Sequence, residues 1–305
     1  MNFTFEVTVI IPIFNAANYI VNAVESALQF DEVKEILLIE DASTDNSLSV
    51  CQKLQNTYKR VRLFQHPDKK NHGAGESRNL GLKKSEFPFI AFLDADDFFL
   101  SNRFDSEKIL FKQNPDIDGV YNAIGVHYYS EDAEKMFRKA NIPEITTVKK
   151  KLNPDLLFPA LISITKDYGY FSLDGLTFKK NILSKMTYWF NPDLRLHQDT
   201  EFIIRLSYYA KLFPGEIIVP VAKRGVHMNN RITQIRSDLT KRKLHRTKLN
   251  DSLYNWAKDE NLKSIYLKQI RRMRIITNIL KYNRFFIWFT SILNAIRKPG
   301  SGTQD

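Results

Sequence analysis

Three carboxylates crowd into one short stretch of this 305-residue chain, Leu93-Asp-Ala-Asp-Asp97. Asp94, Asp96 and Asp97 repel one another at that spacing, so the fold must supply compensation. A divalent cation is one solution, because hard cations prefer oxygen ligands. The other is a helix N-terminus enriched in Asp, with the helix beginning near Leu100. The apolar run Phe87 to Leu93 just before the cluster reads as a buried strand. Carboxylates at the end of such a strand favour the cation.

Asn15 and Asp41 sit in the same relation to two other strands. Val7-Thr-Val-Ile-Ile-Pro-Ile-Phe14 is a β-branched run, buried on both faces, with Pro12 expected to end its regular ladder. A helix is predicted from Tyr19 to Leu28, a second strand from Glu35 to Ile39, and a helix capped by Asp45 or Asn46 that runs to about Leu54. Arg60 to Phe64 gives a third strand, and Gly73 to Lys84 a glycine-entered helix. This β-α-β-α-β-α-β alternation implies a doubly wound α/β sheet, mostly parallel and flanked by helices. Ligands of such sheets bind beyond the carboxyl ends of the strands. Asn15, Asp41 and the acidic cluster are therefore expected to meet in one crevice. Ser130 to Leu152 shows no strand signal and reads as an insert, Tyr168 to Phe178 as a strand and turn leading to a helix at Lys180 to Lys185, and Gln198 to Ala210 as an amphipathic helix.

Charge divides the chain. Residues 241–305 hold 15 of the 45 Lys/Arg but only 4 of the 34 Asp/Glu, so the whole net charge of +11 belongs to them. The domain reading is a neutral domain over 1–240, in halves 1–110 and 111–240, and a basic helical extension over 241–305. A basic tail on a neutral domain suits an anionic surface better than nucleic acid, and no nucleic-acid partner is expected. The single cysteine, Cys51, lies at helical spacing from Leu48 and Leu54 and reads as a core residue in a reducing compartment. With the first strand pattern starting at about Val7, no signal peptide is expected before it. The longest apolar run, Phe285 to Leu293, is shorter than the roughly 18 residues a membrane helix needs. The expected location is cytoplasmic, or peripheral on the inner face of the cell membrane.

Four segments in this order resemble the family 2 glycosyltransferases: Val9-Ile-Ile-Pro-Ile-Phe-Asn15, Glu40-Asp-Ala-Ser-Thr-Asp45, Gly73 with Ser77-Arg-Asn-Leu-Gly81, and Phe92-Leu-Asp-Ala-Asp-Asp97. The resemblance is strong over about residues 5–110 and looser over 165–235. It implies the GT-A fold, a nucleotide-sugar donor and inverting transfer with Mn2+ or Mg2+. It further implies that Pro12, Phe14 and Asn15 border the nucleotide, with Phe14 replacing the more usual Tyr. Asp41 would accept the uracil N3–H, which favours a UDP-sugar. Glu40 stands where Asp is commoner. Arg78 and Asn79 would lie near base and ribose. Asp94 and Ala95 would lie near the ribose and the metal, Asp96 would be the principal metal ligand, and Asp97 would support it.

In the second half, Arg195-Leu-His-Gln-Asp199 resembles the family segment that carries the base, with Gln198 in place of the usual Glu. Asp199 is the expected base and Glu201 the alternative; either could instead offset a helix dipole. His227 as a further metal ligand and Arg231 on the diphosphate are carried over from related enzymes. Tyr168 to Gly175 and Trp189 either border the sugars or pack in the core. Ile270, Met273, Ile276 and Leu280 recur beside Arg271, Arg272 and Arg274, which fits a helix lying on an anionic bilayer or one packed on the domain. The expected acceptor is a glycan or a lipid-linked glycan, in bacterial surface-polysaccharide synthesis. A sugar-phosphate nucleotidyltransferase would carry glycine and basic residues right after the first strand, where this chain reads Phe14-Asn-Ala-Ala-Asn18.

Overall fold

A computed structural model describes residues 4–140, 142–165, 167–228 and 239–282. Its contacts divide the chain into two compact units, Met1–Gln234 and Ile235–Asp305. The first unit is built on a seven-stranded sheet. In chain order its elements begin β1 (Val7–Ile13), α1 (Ile20–Leu28), β2 (Val33–Glu40), α2 (Ser47–Thr57), β3 (Val61–Gln65), α3 (Ala74–Lys84) and β4 (Phe89–Phe92). There follow β5 (Phe98–Phe99), α4 (Asp105–Gln113), β6 (Gly119–Tyr121), β7 (Ile124–Tyr128), α5 (Glu131–Lys139), α6 (Leu157–Leu161), β8 (Leu176–Lys179), α7 (Gln198–Tyr209), β9 (Leu212–Pro214) and β10 (Ala222–Val226).

The large sheet runs β3-β2-β1-β4-β8-β6-β9. Strands β3, β2, β1 and β4 are parallel, and β8 is antiparallel to both its neighbours. The period-2 alternation of β1 sends Val7, Val9, Ile11 and Ile13 into one layer with Ala23, Val24, Cys51 and Phe111. Ile10 enters the other, with Leu37, Leu82, Phe92 and Phe202. Helices α1, α2 and α4 thus cover one face, and α3, α6 and α7 the other. Burial pushes the Cys51 thiol up to about 12, in keeping with a core side chain.

Two expectations are corrected. Pro12 does not end the ladder: β1 continues to Ile13, with Pro12 opposite Ile39. Pairing with β4 stops at Ile10–Phe92, closed by Leu93 N–H donating to the Ile10 carbonyl. In a parallel strand Pro12 points to the same side as Ile10, so its missing N–H falls beyond the last paired residue of β4. The stretch after Ser130 is not an unstructured insert. Ser130 Oγ accepts from Ala133 N–H at 3.2 Å, Glu131, Asp132 and Glu134 fill the first turn, and α5 buries Ala133 and Phe137. Beyond it the chain makes single bridges, Ile124 to Thr146 and Val148 to Gly169.

A buried polar network ties β8 to the segment after β5. Arg103 and Glu107, both fully buried, pair at 2.5 Å. Arg103 also donates to the Leu176 carbonyl and Thr177 Oγ1, each at 3.1 Å. Glu107 accepts from Thr177 Oγ1 and Asn122 Nδ2, each at 3.0 Å. Burial lowers the affinity of Arg103 for its proton and raises that of Glu107, and each charge offsets the effect on the other.

The second unit is a hairpin of α8 (Leu239–Asp259) and α9 (Ser264–Tyr282), joined through Asn250 Nδ2 donating to Thr277 Oγ1 at 3.2 Å and Arg274 Nε to Asp251 at 2.6 Å. Among the described residues no helix is long and apolar enough to cross a membrane.

Removing one charge of the Arg103–Glu107 pair strands the other in the core. Glu107→Ala is expected to destabilise the fold by about 3–5 kcal/mol in a denaturant titration.

Candidate active site

The strand order reverses between β1 and β4. After β1 the chain moves outward to β2 and β3, then returns to β4 on the far side of β1. The carboxyl ends of β1, β2 and β4 therefore frame the crevice where doubly wound sheets bind ligands. Phe14 and Asn15 follow β1, Asp41 follows β2, and the acidic cluster follows β4, all at that end.

Backbone geometry sets the first rim. Asn15 has φ of 52° and Ala42 of 58°, so both loops turn sharply on leaving their strands. Asn15 Oδ1 accepts from Thr44 N–H at 2.8 Å, and Asn15 N–H donates to Ser43 Oγ at 3.1 Å. Asn15 thereby stitches the two loops together, and Phe14 beside it is 40% exposed. Asp41 is buried, and its two carboxyl oxygens accept the N–H groups of His72 and Gly73, each at 2.7 Å. This anchors the start of α3, where Gly73 takes φ of 85°, a value only glycine adopts easily. His66 Nε2 lies 3.6 Å from the same carboxylate.

Two residues carried over from the resemblance turn out to be occupied. Arg78 is buried, donates to Asp94 Oδ1 at 2.5 Å and lies over the Phe190 ring. Asn79 is engaged with the Phe190 peptide. Its Oδ1 accepts the Phe190 N–H and its Nδ2 donates to the Phe190 carbonyl, both at 2.9 Å. Both side chains position their neighbours, Arg78 the acidic loop and Asn79 the segment before α7.

The acidic loop is a tight turn, closed by Asp97 N–H donating to the Asp94 carbonyl at 3.0 Å. Ala95 is buried, so the residues around it stay where they are placed. Asp96 Oδ2 lies 3.2 Å from His227 Nε2. The imidazole stacks on Tyr19 with ring centres 4.6 Å apart, and Tyr129 packs on Tyr19 and donates to the Asp96 carbonyl. His227 follows β10, which brings it to Asp96 from 131 residues away.

A fourth carboxylate, Asp174, joins the cluster from the turn before β8. Ligand atoms of Asp94, Asp97 and Asp174 lie within 4.8 Å of one another. Asp174 Oδ1 accepts the Asp94 N–H at 3.0 Å, its Oδ2 accepts from Ser172 Oγ at 3.0 Å, and its side chain hydrogen-bonds Asp97. Burial first, and then the neighbouring carboxylates, raises Asp97 well above the ordinary carboxylate range, and raises Asp174 as well. Among the described residues, the carboxylates of Asp94, Asp97 and Asp174 are the group that lies close enough together to hold one divalent cation of the Mn2+ or Mg2+ kind, which takes oxygen ligands.

The second-half candidates separate cleanly. Asp199 is exposed in the first turn of α7, where its Oδ1 accepts from Thr200 N–H at 2.8 Å. Its neighbour Gln198 packs on Gly75, and Arg195 donates to Asn71, so this segment adjoins the start of α3. Glu201, the alternative, points into the core. It is fully buried and holds Arg205 through both oxygens, at 2.8 and 2.7 Å, while accepting from the Tyr188 hydroxyl at 2.7 Å. Tyr168 and Phe171 belong to the core, Tyr168 bonded to the Tyr121 hydroxyl at 2.8 Å and Phe171 stacked on the Tyr121 ring. Trp189 donates to the Leu183 carbonyl at 3.3 Å, and Tyr170 is 56% exposed. Arg231 lies outside the described residues. Sequence reasoning missed Asp174, Tyr19 and Tyr129; the turn residues around Leu173-Asp-Gly175 were the one local signal.

Losing the Asn79 clasp frees the Phe190 peptide without touching the acidic residues. Asn79→Ala is expected to lower stability by about 1–3 kcal/mol, read as an earlier denaturation midpoint.

Comparison with known proteins gives this crevice a family. A structure of Staphylococcus aureus TarS residues 1–349 in complex with UDP-GlcNAc superimposes with TM-score 0.63 at 16% identity, over 91% of this chain and 74% of that one. A Pyrobaculum calidifontis mannosyltransferase in complex with GDP-Man and Mn2+ gives 0.53 at 14% identity, over 96% and 81%. At such identities these likenesses show the shared GT-A fold. Among curated proteins, the minor teichoic acid biosynthesis protein GgaA of Bacillus subtilis is 29% identical over 68% of this chain and 44% of its own. Glycosyltransferase GlyG of Streptococcus pneumoniae is 31% identical over 43% of this chain and 42% of its own. The chain spans less than half the length of the curated relatives it matches. The model of Glycosyl transferase family 2 matches residues 8–169, more than half of the sequence. With the β1/β4 crevice and its acidic turn, that match shows that the chain belongs to Glycosyl transferase family 2.

Proposed function

We propose that this chain is an inverting glycosyltransferase that moves a sugar from a nucleoside-diphosphate sugar, with UDP the favoured nucleotide, to a hydroxyl of a glycan or lipid-linked acceptor. The observation that carries the proposal is the meeting of Asp41, the Arg78–Asp94 pair and the Asp96–His227 pair at the reversal point of the sheet. UDP-GlcNAc in the TarS complex and GDP-Man with Mn2+ in the mannosyltransferase complex support that donor class.

Asp96, Asp94 and His227 would hold a divalent cation, which when bound offsets the charge growing on the departing diphosphate. Phe14 and Asn15, just beyond the buried Pro12 of β1, form the rim on which the nucleotide would rest. Asp41 holds the 71–73 loop against that rim, and its remaining lone pairs could accept from a base N–H. Arg78 fixes the Asp94 carboxylate, and Tyr19 keeps the His227 ring in plane.

Asp199 is the proposed base. It removes the proton from the acceptor hydroxyl as that oxygen attacks the anomeric carbon, the bond from carbon to phosphate oxygen breaks, and the nucleoside diphosphate leaves with the electron pair. Attack opposite the leaving group inverts the configuration. The proton passes from Asp199 to solvent after product release. The relation to GgaA supports a setting in surface-polymer synthesis.

For the helical unit we favour an anionic membrane surface as partner. On α9, Ile265, Ile275, Ile276 and Ile279 are exposed, and so are Lys263, Lys268, Arg271 and Arg272 nearby in the sequence. Apolar and basic side chains exposed on one helix suit a bilayer carrying anionic headgroups.

A panel of nucleotide-sugars assayed with Mn2+ tests the activity. Asp96→Ala is expected to lower turnover at least about 100-fold, and unchanged turnover contradicts the metal assignment. Asp199→Asn is expected to lower kcat by about 10²–10⁴-fold with UDP binding unchanged; full activity would remove Asp199 as base. Flotation with vesicles containing phosphatidylglycerol tests the surface. The full chain is expected to float at low salt and Arg271→Glu/Arg272→Glu to stay in solution, while equal behaviour of the two contradicts the membrane reading.

A further inference from the structure

Asp174 is held in a way that separates it from the residues proposed to meet the donor. It is 2% exposed. One oxygen accepts the backbone N–H of Asp94, 80 residues away in sequence, and the other accepts from Ser172 Oγ within its own turn. Its carboxyl also hydrogen-bonds Asp97, itself 3% exposed. Asp97 Oδ1 in turn accepts the Gly225 N–H at 2.8 Å. Gly225 lies in β10, two residues before His227. The chain of contacts therefore runs from the turn before β8, through the acidic loop, to the strand that delivers the histidine.

Both ends of this chain are fixed. On the Asp174 side, Asn122 donates its backbone N–H and its Nδ2 to the Gly175 carbonyl at 2.9 and 3.1 Å, and the same Nδ2 reaches the buried Glu107 at 3.0 Å. The turn carrying Asp174 is thus rooted in the Arg103–Glu107 network. On the β10 side, a Cβ at Gly225 would stand 2.0 Å from the Asp96 carbonyl oxygen and 2.6 Å from the Tyr129 ring. Only glycine lets the strand approach the acidic loop this closely.

We propose that Asp174 is a positioning residue: its carboxyl group clamps the Asp94 backbone and the Asp97 side chain, and so sets the acidic loop against β10 such that Asp94 and Asp96 face the donor with His227 in reach. The inference rests on the reading of the crevice as a nucleotide-sugar site. It assigns Asp174 a role that a metal ligand would not have. The work is done by hydrogen bonds to the protein, so an amide of the same shape can replace the acid. Asn at this position still accepts the Asp94 N–H through Oδ1, and its Nδ2 can donate to a carboxyl oxygen of Asp97. A cation ligand loses its charge in the same change.

The test compares full-length wild type, Asp174→Ala, Asp174→Asn and Gly225→Ala by calorimetric titration with UDP and with GDP, each in Mn2+ and in EDTA, beside thermal unfolding of each variant. With the nucleotide that wild type binds, Asp174→Ala is expected to bind about 10–100-fold more weakly, the range typical of lost supporting contacts around a metal site. Asp174→Asn is expected to stay within about threefold of wild type, the scale of one rearranged hydrogen bond. Gly225→Ala displaces the loop from its other side and is expected to weaken binding as Asp174→Ala does, which keeps the test open if Asp174→Ala does not fold. Wild-type affinity in both Asp174→Ala and Gly225→Ala overturns the proposal. Equal weakening in Asp174→Asn and Asp174→Ala also overturns it, by making the charge itself the essential feature. A wild type that binds neither nucleotide fails the donor reading and this inference with it. One that binds equally in Mn2+ and EDTA fails only the metal assignment.

Discussion

Placing several carboxylates at the end of a buried strand is the constraint around which this molecule is arranged. Asp97 and Asp174 are buried where solvent screening is weak, with Asp94 and Asp96 crowded beside them, so each needs a partner. The fold supplies a different one to each. Arg78 reaches Asp94 from α3, His227 reaches Asp96 from beyond β10, and Asp97 and Asp174 hydrogen-bond each other. Those partners come from segments spread across the first unit, so the cluster also acts as a cross-link among them. The charge left on Asp94 and Asp96, whose side chains are 43% and 28% exposed, is what a cationic ligand would meet.

The supporting interactions follow from that demand. Asn79 holds the Phe190 peptide, and Arg78 lies over the Phe190 ring, so the arm that steadies Asp94 is itself packed in place. Arg103 and Glu107, deep in the core, hold the segment from which the Asp174 turn projects. Tyr19 and Tyr129 enclose the Asp96–His227 pair with ring faces and a hydroxyl. Such layers convert a repulsive set of charges into a fixed one, which is what preorganised electrostatic stabilisation requires.

Much of this was legible in the sequence because it is local. The β-branched run at Val7 to Ile13 and the three helices that follow are written in short-range periodicity, and their alternation fixes which loops share a crevice. Asn15, Asp41 and Asp94 could be placed at strand ends on that basis alone. Pro12 misled because whether a missing N–H matters depends on where the β4 ladder stops, a property of the neighbouring strand. The helix at Glu131–Lys139 was overlooked although Ser130 and its acidic first turn announced it; charge had masked the two buried positions, Ala133 and Phe137. Glu201, the alternative to Asp199, is set inward against Arg205 by helix phase, which its place in the first turn does not reveal. Asp174 was beyond reach. Its importance comes from contacts 80 residues away, and no local pattern distinguishes it from any Asp in a turn.

The proposed transfer requires that a nucleoside diphosphate and a divalent cation share the crevice between the ends of β1 and β4. Crystals of the protein soaked with UDP and Mn2+, with data collected to give the anomalous signal of manganese, test it most directly. A manganese peak bounded by Asp96 and His227 is expected, with the diphosphate oxygens on its open side and the uracil towards Asp41. A nucleotide lodged elsewhere, or a manganese peak remote from Asp96, would contradict it.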